Sequence, residues 1–354
     1  MQVLITIFQY ILAIIGLSLI IIVHEFGHFL AAKASGIYVE EFFIGIGPKI
    51  FKIKSKSGTS YGISAIPVGG YNKLLGMDRS EAVPAGMEEK AFHNKSFFKK
   101  FLVCVSGSGF NIIFAVILIM IFLSMGVMAP STTIEYIQPD SPADLSGFKE
   151  GDDVIALNGR KIESWDDFST MTKEYPGEEV TYTIIRAGEE MELEAELENL
   201  EGQGFLGISP LYVKERLGFS EIVKESFKIL WDVCVFFVKA IGMLFRGEIS
   251  FSEARPVSPV GVVSIFQQSV KLGFQDFIFF IALVSIMLGF GNLLPILPLD
   301  GGNIVLVAVE SIRKKPIPKK VFEILNSIGI FILVSILIIG FVFDIISPFD
   351  ITNI

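Results

Sequence analysis

The stretch LITIFQYILAIIGLSLIIIVHEFGHFLAA, Leu4–Ala32, carries one charged side chain, Glu25. About 20 apolar residues suffice to cross a bilayer, so this run reads as a membrane-spanning helix. Near its end stands His24-Glu25-Phe26-Gly27-His28. On a helix, residues i and i+4 face the same way, so both imidazoles can reach one ion. Glu25 sits roughly 100° further round the helix, on the His28 side. Ionisable groups are costly at membrane depth and are kept there for function.

The rest of the chain agrees with a membrane setting. Of 354 residues 51% are hydrophobic, 19% are charged, and Phe alone occurs 33 times. Such a composition is too apolar for an ordinary soluble protein of this length. Three further runs are long enough to span: Phe98–Val127, Phe274–Leu297 and Phe322–Phe343. A fifth, Phe227–Phe245, is interrupted by Lys228, Asp232 and Lys239. No basic residue precedes Lys33, so the start lacks the n-region of a cleavable signal peptide. No Arg-rich or aromatic-interleaved basic patch suggests nucleic-acid binding. Cys104 and Cys234 each lie in apolar runs and read as buried small hydrophobes.

Charge sets the topology. The loop Lys33–Lys100 holds eleven Lys and Arg, and Arg313, Lys314, Lys315, Lys319 and Lys320 cluster before the last span. The positive-inside rule puts both loops in the cytoplasm. Four spans achieve this, with both termini on the outer side; Phe227–Phe245 then lies at the interface or packs on protein. Residues 131–215 differ in kind, with 20 acidic residues against six basic ones.

A third metal ligand must be polar and lie at the same depth. Gly291-Asn292-Leu293-Leu294-Pro295-Ile296-Leu297-Pro298-Leu299-Asp300-Gly301-Gly302 supplies one, because Pro295 and Pro298 break the helix. Broken backbone at this depth is tolerated only where it is packed in protein or lines a cavity. Asp300, at the end of the break, becomes the candidate ligand beside His24 and His28, and Glu25 the general base. Spans one and three run parallel in the four-span arrangement, which brings these groups together near the cytoplasmic face. Two imidazoles and a carboxylate, with one position left for water, form a donor set for Zn2+, one ion per chain.

Residues 131–212 read as a small domain of short strands, Thr132–Ile137, Val180–Ile185 and Glu190–Glu196, with turns at Pro139-Asp140-Ser141-Pro142 and Asn158-Gly159. The run Ser141-Pro142-Ala143, Gly147-Phe148, Gly151-Asp152-Asp153-Val154-Ile155 and Asn158-Gly159 resembles the PDZ domain of bacterial proteases. That resemblance implies an extended-peptide ligand added at a sheet edge. Earlier, Phe42–Ile53 and Tyr61–Ile66 read as a glycine-rich β-hairpin across Ser55-Lys56-Ser57-Gly58, with an edge on which a substrate strand could pair.

Together these features resemble the site-2 protease family of intramembrane zinc metalloproteases, in its bacterial sigma-E regulator branch. The resemblance is carried by His24-Glu25-Phe26-Gly27-His28, Pro67-Val68-Gly69-Gly70-Tyr71, Asn94-Lys95-Ser96-Phe97, the PDZ-like insert and Asn292 through Leu299-Asp300-Gly301-Gly302. It implies zinc on His24, His28 and Asp300, water activation by Glu25, and contact of Asn292 with substrate backbone or a developing oxyanion. It also implies a bacterial plasma-membrane protein that cuts single-span membrane proteins, such as trimmed anti-sigma factors or remnant signal peptides, with the PDZ domain outside and over the way in. Two departures stand out. There is room for one PDZ domain rather than a tandem, and Ser108 stands where the family often has Pro before Gly109-Phe110-Asn111. Asn111 is carried over as lining the substrate path.

The expected fold is a polytopic α-helical membrane protein with four transmembrane helices, a membrane-associated β-hairpin and an inserted α+β PDZ domain. Its parts are 1–35 (span one), 36–97 (hairpin region), 98–127 (span two), 128–213 (PDZ domain), 214–271 (connector), 272–303 (span three and its broken segment), 304–321 (basic loop), 322–346 (span four) and 347–354 (tail). The rival reading is a non-catalytic PDZ-bearing membrane scaffold; it explains the insert but not the His/Glu/Asp set.

Overall fold

A computed structural model describes residues 1–77, 81–250 and 255–351. Arg79, residues 251–254 of the connector and the end of the tail fall outside the described residues. The chain divides into two units, 1–123 with 219–354, and 124–218.

The first unit opens with α1, Gln2–Ala34, 33 residues long. At 1.5 Å per residue it runs about 50 Å, longer than the apolar bilayer core. It is followed by β1 (Val39–Lys54) and β2 (Ser60–Leu74), then α2 (Phe97–Ser124). After the second unit come α5 (Phe219–Arg246), α6 (Pro259–Leu272), α7 (Phe274–Asn292), α8 (Asp300–Arg313) and α9 (Lys319–Ile346). Among the described residues, α1, α2, α7 and α9 are the helices long and apolar enough to span a membrane. Helix α5 is not one of them. Its exposed Phe227, Trp231 and Val238 fall on one face, and its charges lie on another, the pattern of an interfacial helix.

Close approach at glycine lets the spans pack. A Cβ on Gly16 of α1 would stand 3.1 Å from the Phe277 ring of α7, and one on Gly289 of α7 would stand 3.0 Å from the Ser108 carbonyl of α2. Ala13, Leu17 and Ile20 of α1 form a core with Phe266, Phe277 and Ile281. Helix α2 runs against α1, with Gly27 at Ser106 and His24 at Asn111, and against α7, with Gly289 at Ser108 and Gln275 at Phe122, so α1 and α7 run in the same direction. Helix α9 leaves side chains such as Phe331 and Ile338 exposed along its length. In water that surface would be expensive; in lipid it is not.

The region expected to be a simple hairpin is more folded than that. Residues 41–44 of β1 are partnered twice, by 70–73 on one side and by 60–63 on the other, while 49–54 pairs with 60–64. Both strands thus double back. Gly45 and Gly47 (φ 84° and 90°) make the bend in β1, and Gly69 (φ 109°) the one in β2, a backbone region open to glycine. Glu41 fastens the curl. It accepts from Lys49 Nζ at 2.6 Å and Tyr71 Oη at 2.7 Å, with Lys52 Nζ at 3.3 Å. Burial alone would raise its carboxyl; these donors hold it at about 2.

The second unit holds β3 (Val127–Ile137), the short α3 (Pro142–Leu145), β4 (Asp153–Leu157), β5 (Arg160–Lys161), α4 (Trp165–Lys173), β6 (Glu179–Arg186), β7 (Glu189–Glu196), β8 (Glu198–Leu200), β9 (Gln203–Phe205) and β10 (Ile208–Glu215). Strands β10-β3-β4-β6-β7 form one sheet, with β5 on β4. Ser141 and Ser164 cap α3 and α4, and Asn158-Gly159 turns β4 into β5 with both φ positive (48° and 75°), the two-residue hairpin that Asn-Gly favours. Tyr182, Leu157, Ile184 and Phe168 fill the core.

One ion pair braces this unit. The Asp152 carboxylate is 1% exposed and takes both Arg186 Nε at 2.7 Å and Nη2 at 2.8 Å, as well as the Lys149 N–H at 2.7 Å. Burial would push its carboxyl up; the guanidinium and the N–H outweigh it and hold it below the usual range. A depressed carboxyl contributes stability fully above the unfolded value, about 3.9, and loses it as pH falls through the folded one. Arg186→Gln strands the carboxylate and is expected to cost on the order of 3 kcal/mol. Trp165 fluorescence in a Trp231→Phe background reads this unfolding in the full chain.

Candidate metal centre

His24 and His28 lie in the last third of α1, about 15 Å and about 9 Å from its C-terminal end at the helical rise. Their Nε2 atoms are 3.2 Å apart. Asp300, the first residue of α8, brings Oδ2 to 3.3 Å from His24 Nε2 and 3.2 Å from His28 Nε2. Three donors of the expected types thus converge on one point, and they are a set among the described residues able to hold a metal ion.

Glycine and proline put Asp300 there. Helix α7 ends at Asn292, and the chain turns irregularly through Pro295 and Pro298 before α8 begins. That turn folds back on the start of α8. A Cβ on Gly301 would meet Leu293 O at 2.1 Å, and one on Gly302 would meet Ile296 C at 2.5 Å. From behind, α9 presents Gly329, where a Cβ would lie 1.6 Å from Leu297 O. Backbone packs on backbone at three places, which leaves the ligand-bearing segment little room to move.

The outer partners suit a metal. His28 Nδ1 lies 2.7 Å from Val103 O, so Nδ1 is the donor and Nε2 presents a bare lone pair. His24 Nδ1 is 3.4 Å from the Asn111 amide, whose Oδ1 is buried without a partner. A half-turn of that amide lets Oδ1 accept from His24 Nδ1–H, which satisfies the orphan and bares His24 Nε2 as well. Ser108 Oγ donates to Asp300 Oδ2 over 3.5 Å. The residues present therefore fit a divalent ion by number, type and orientation.

Glu25 is not held by its own helix. Asn72 Nδ2, from β2, donates to Glu25 Oε2 at 2.8 Å and to the Glu25 carbonyl at 2.5 Å. A Cβ on Gly70 would come within 3.3 Å of Glu25 Cγ. Segment 70–74 thus lies against the carboxylate. With the His pair, Asp300 and Asn292 it borders a cavity of about 290 Å³, to which Tyr71, Cys104 and Asn303 also contribute.

Five of the sequence-derived candidates, His24, Glu25, His28, Asn292 and Asp300, fall in this one place. Asn111 does not line the cavity. It is wholly buried, against His24, because α2 crosses α1 at Gly107 and turns Asn111 inward. Asn72 and Ser108 were not legible from spacing, since each acts across a contact between distant elements. Asn72→Ala removes a bond to a charged group worth about 1.5–3 kcal/mol, so roughly a 10- to 100-fold fall in kcat is expected. Zinc content, measured by elemental analysis, should stay unchanged.

Comparison with known proteins matches the family model described as Peptidase family M50 over residues 12–336. A protein of Clostridium acetobutylicum bearing a zinc metalloprotease name is 31% identical over 97% of this chain and 99% of its own. One of Fusobacterium nucleatum, also so named, is 34% identical over 96% and 99%. Zinc metalloprotease RasP of Shouchella clausii is 31% identical over 91% and 94%. Among solved structures, the PDZ domain of an SdrC-like protein from Listeria monocytogenes aligns with 24% of this chain and 92% of its own, at 17% identity and a TM-score of 0.22.

The chain belongs to Peptidase family M50, the site-2 protease family. It is a multi-pass membrane zinc metalloendopeptidase, and zinc is its cofactor.

Proposed function

We propose that this protease hydrolyses peptide bonds inside the transmembrane segments of single-span proteins, with zinc held by His24, His28 and Asp300. The observation that carries the reading is the convergence of these three donors with Glu25 on one cavity, within helices apolar enough to span a bilayer. Zinc bound there supplies a Lewis acid that acidifies water and polarises a carbonyl.

The chain's own groups do the rest. Glu25 takes the proton from the attacking water and later returns it to the leaving amine. Asn72 keeps one carboxylate oxygen occupied, which directs the other toward the cavity. Asn292, at the cavity wall, donates to the oxygen on which charge develops. Segment 70–74 offers an edge for the unwound substrate to join as an extra strand.

The basic loops then face the cytoplasm and both termini the outside; α5 rests at the interface, and the inserted domain takes an extended peptide. Substrates of this description include trimmed anti-sigma factors and remnant signal peptides, in a bacterial plasma membrane. The test is the full chain reconstituted in liposomes with single-span peptides. Products cut within the apolar segment support the reading. Cuts confined to the flanking soluble parts, or none, overturn it.

A further inference from the structure

Lysines from two distant stretches of the chain meet at one concavity. Lys100 stands in the first turn of α2, and Lys314, Lys315 and Lys319 follow one another from the end of α8 to the start of α9. Together with Asn94 and Phe97 they line a cavity of about 560 Å³, within the range of roughly 300–1,000 Å³ typical of ligand sites. Lys100, Lys314 and Lys315 make no ion pair among the described residues, and Lys319 reaches Glu323 only at 3.9 Å. Two acidic residues, Glu81 and Glu310, also line the cavity. Glu81 pairs with Lys73 at 2.7 Å, and Glu310 accepts from the Ile317 N–H at 2.9 Å. The cavity is therefore net positive.

Its neighbour is of opposite character. A cleft of about 410 Å³ between α8 and α9 is lined by Val305, Val309, Leu325, Ile328 and Ile332, and its inner wall is Pro295–Leu297. Ile317 lines both spaces, so the charged cavity and the apolar one lie against the same side chain. The junction falls where α9, a spanning helix, begins at Lys319. Charge on one side of Ile317 and hydrocarbon on the other, at the edge of a span, match the two ends of one amphiphile.

We propose that the two spaces form one site for an anionic phospholipid. Its phosphate lies among Lys100, Lys314, Lys315 and Lys319, and an acyl chain lies along Val305, Val309 and Ile328. Lysine serves a phosphate as a point charge, and basic pockets between spanning helices are suited to acidic headgroups. The site is separate from the metal centre and stands whether or not the catalytic reading does. It abuts the outer side of the segment that ends in Asp300.

The test is native mass spectrometry of the detergent-purified full chain with phosphatidylglycerol or phosphatidylcholine of the same acyl chains. Phosphatidylglycerol should be retained preferentially, and each lysine removed should weaken that preference about five-fold. Lys100→Gln/Lys314→Gln/Lys315→Gln should abolish it, while Arg160→Gln/Lys161→Gln/Lys173→Gln, an equal loss of charge in the other unit, should leave it intact. Val309→Trp, which fills the cleft, should lower retention of the lipid. Equal retention of the two lipids overturns the proposal, as does equal loss in both triple variants. Full displacement of the lipid by glycerol phosphate at matched concentration would show a site for a free anion and overturn it too. If the first triple variant is not monodisperse, the three single substitutions carry the same comparison.

Discussion

Glu25→Gln is expected to retain stoichiometric zinc and to lose turnover by on the order of 10²–10⁴-fold, the range that a positioned general base contributes. Glutamine keeps the shape of the side chain and an oxygen to accept from Asn72 Nδ2, the contact now made at 2.8 Å. What it lacks is a basic oxygen for the water proton. Asp300→Asn is expected to fail differently. It removes the one anionic donor from a set whose closest distances are 3.2 Å and 3.3 Å, so zinc itself should be lost. That loss should exceed the roughly 10- to 100-fold that outer-shell changes cost in affinity. Elemental analysis and cleavage rate, measured on the same preparations, separate the two roles. Wild-type turnover by Glu25→Gln would end the general-base assignment; full zinc in Asp300→Asn would remove that residue from the centre.

The second large effect falls on a residue with no side chain. Gly107 of α2 faces the two imidazoles so closely that an added Cβ would stand 2.3 Å from His28 Nε2 and 2.8 Å from His24 Nε2. Gly107→Ala should therefore push the ligating nitrogens off their common point and abolish both zinc and activity. Gly109, two residues on in the same helix, would place its Cβ with nothing within 4 Å. Gly109→Ala changes the same helix by the same methyl group and should be active. Equal behaviour of the two variants would mean that helix flexibility, and not space at the ligands, is what these glycines supply.

Both results depend on how the chain brings distant residues together, and the sequence disclosed that unevenly. His24 and His28 were legible because helical spacing alone makes them neighbours. Asp300 was legible because Pro295 and Pro298 rule out a regular helix, and a polar group beyond them had to be accounted for at membrane depth. The spans were legible from length and hydropathy. The double pairing of residues 41–44 was not. Alternation identifies strands, but bends at Gly45, Gly47 and Gly69 are set by φ values that composition only hints at. Asn72 was hidden for the same reason. Its meeting with Glu25 joins residues 47 apart, across an interface that neither local pattern encodes. Asn111 lies buried against His24, and that facing depends on where α2 crosses α1, which the sequence does not encode locally.

The link between Asn72 and Glu25 also bears on where a substrate is cut. Asn72 ties segment 70–74 to the carboxylate, so a substrate strand pairing with that edge, as proposed, would be held in step with the base. Successive residues of a strand point to opposite faces, and the pattern repeats every two residues, roughly 6.6–6.8 Å. A slip of one residue turns the whole strand over, while a slip of two restores it. The sheet would then work as a ruler with a two-residue graduation, and alternative cleavage positions in one substrate would fall an even number of residues apart.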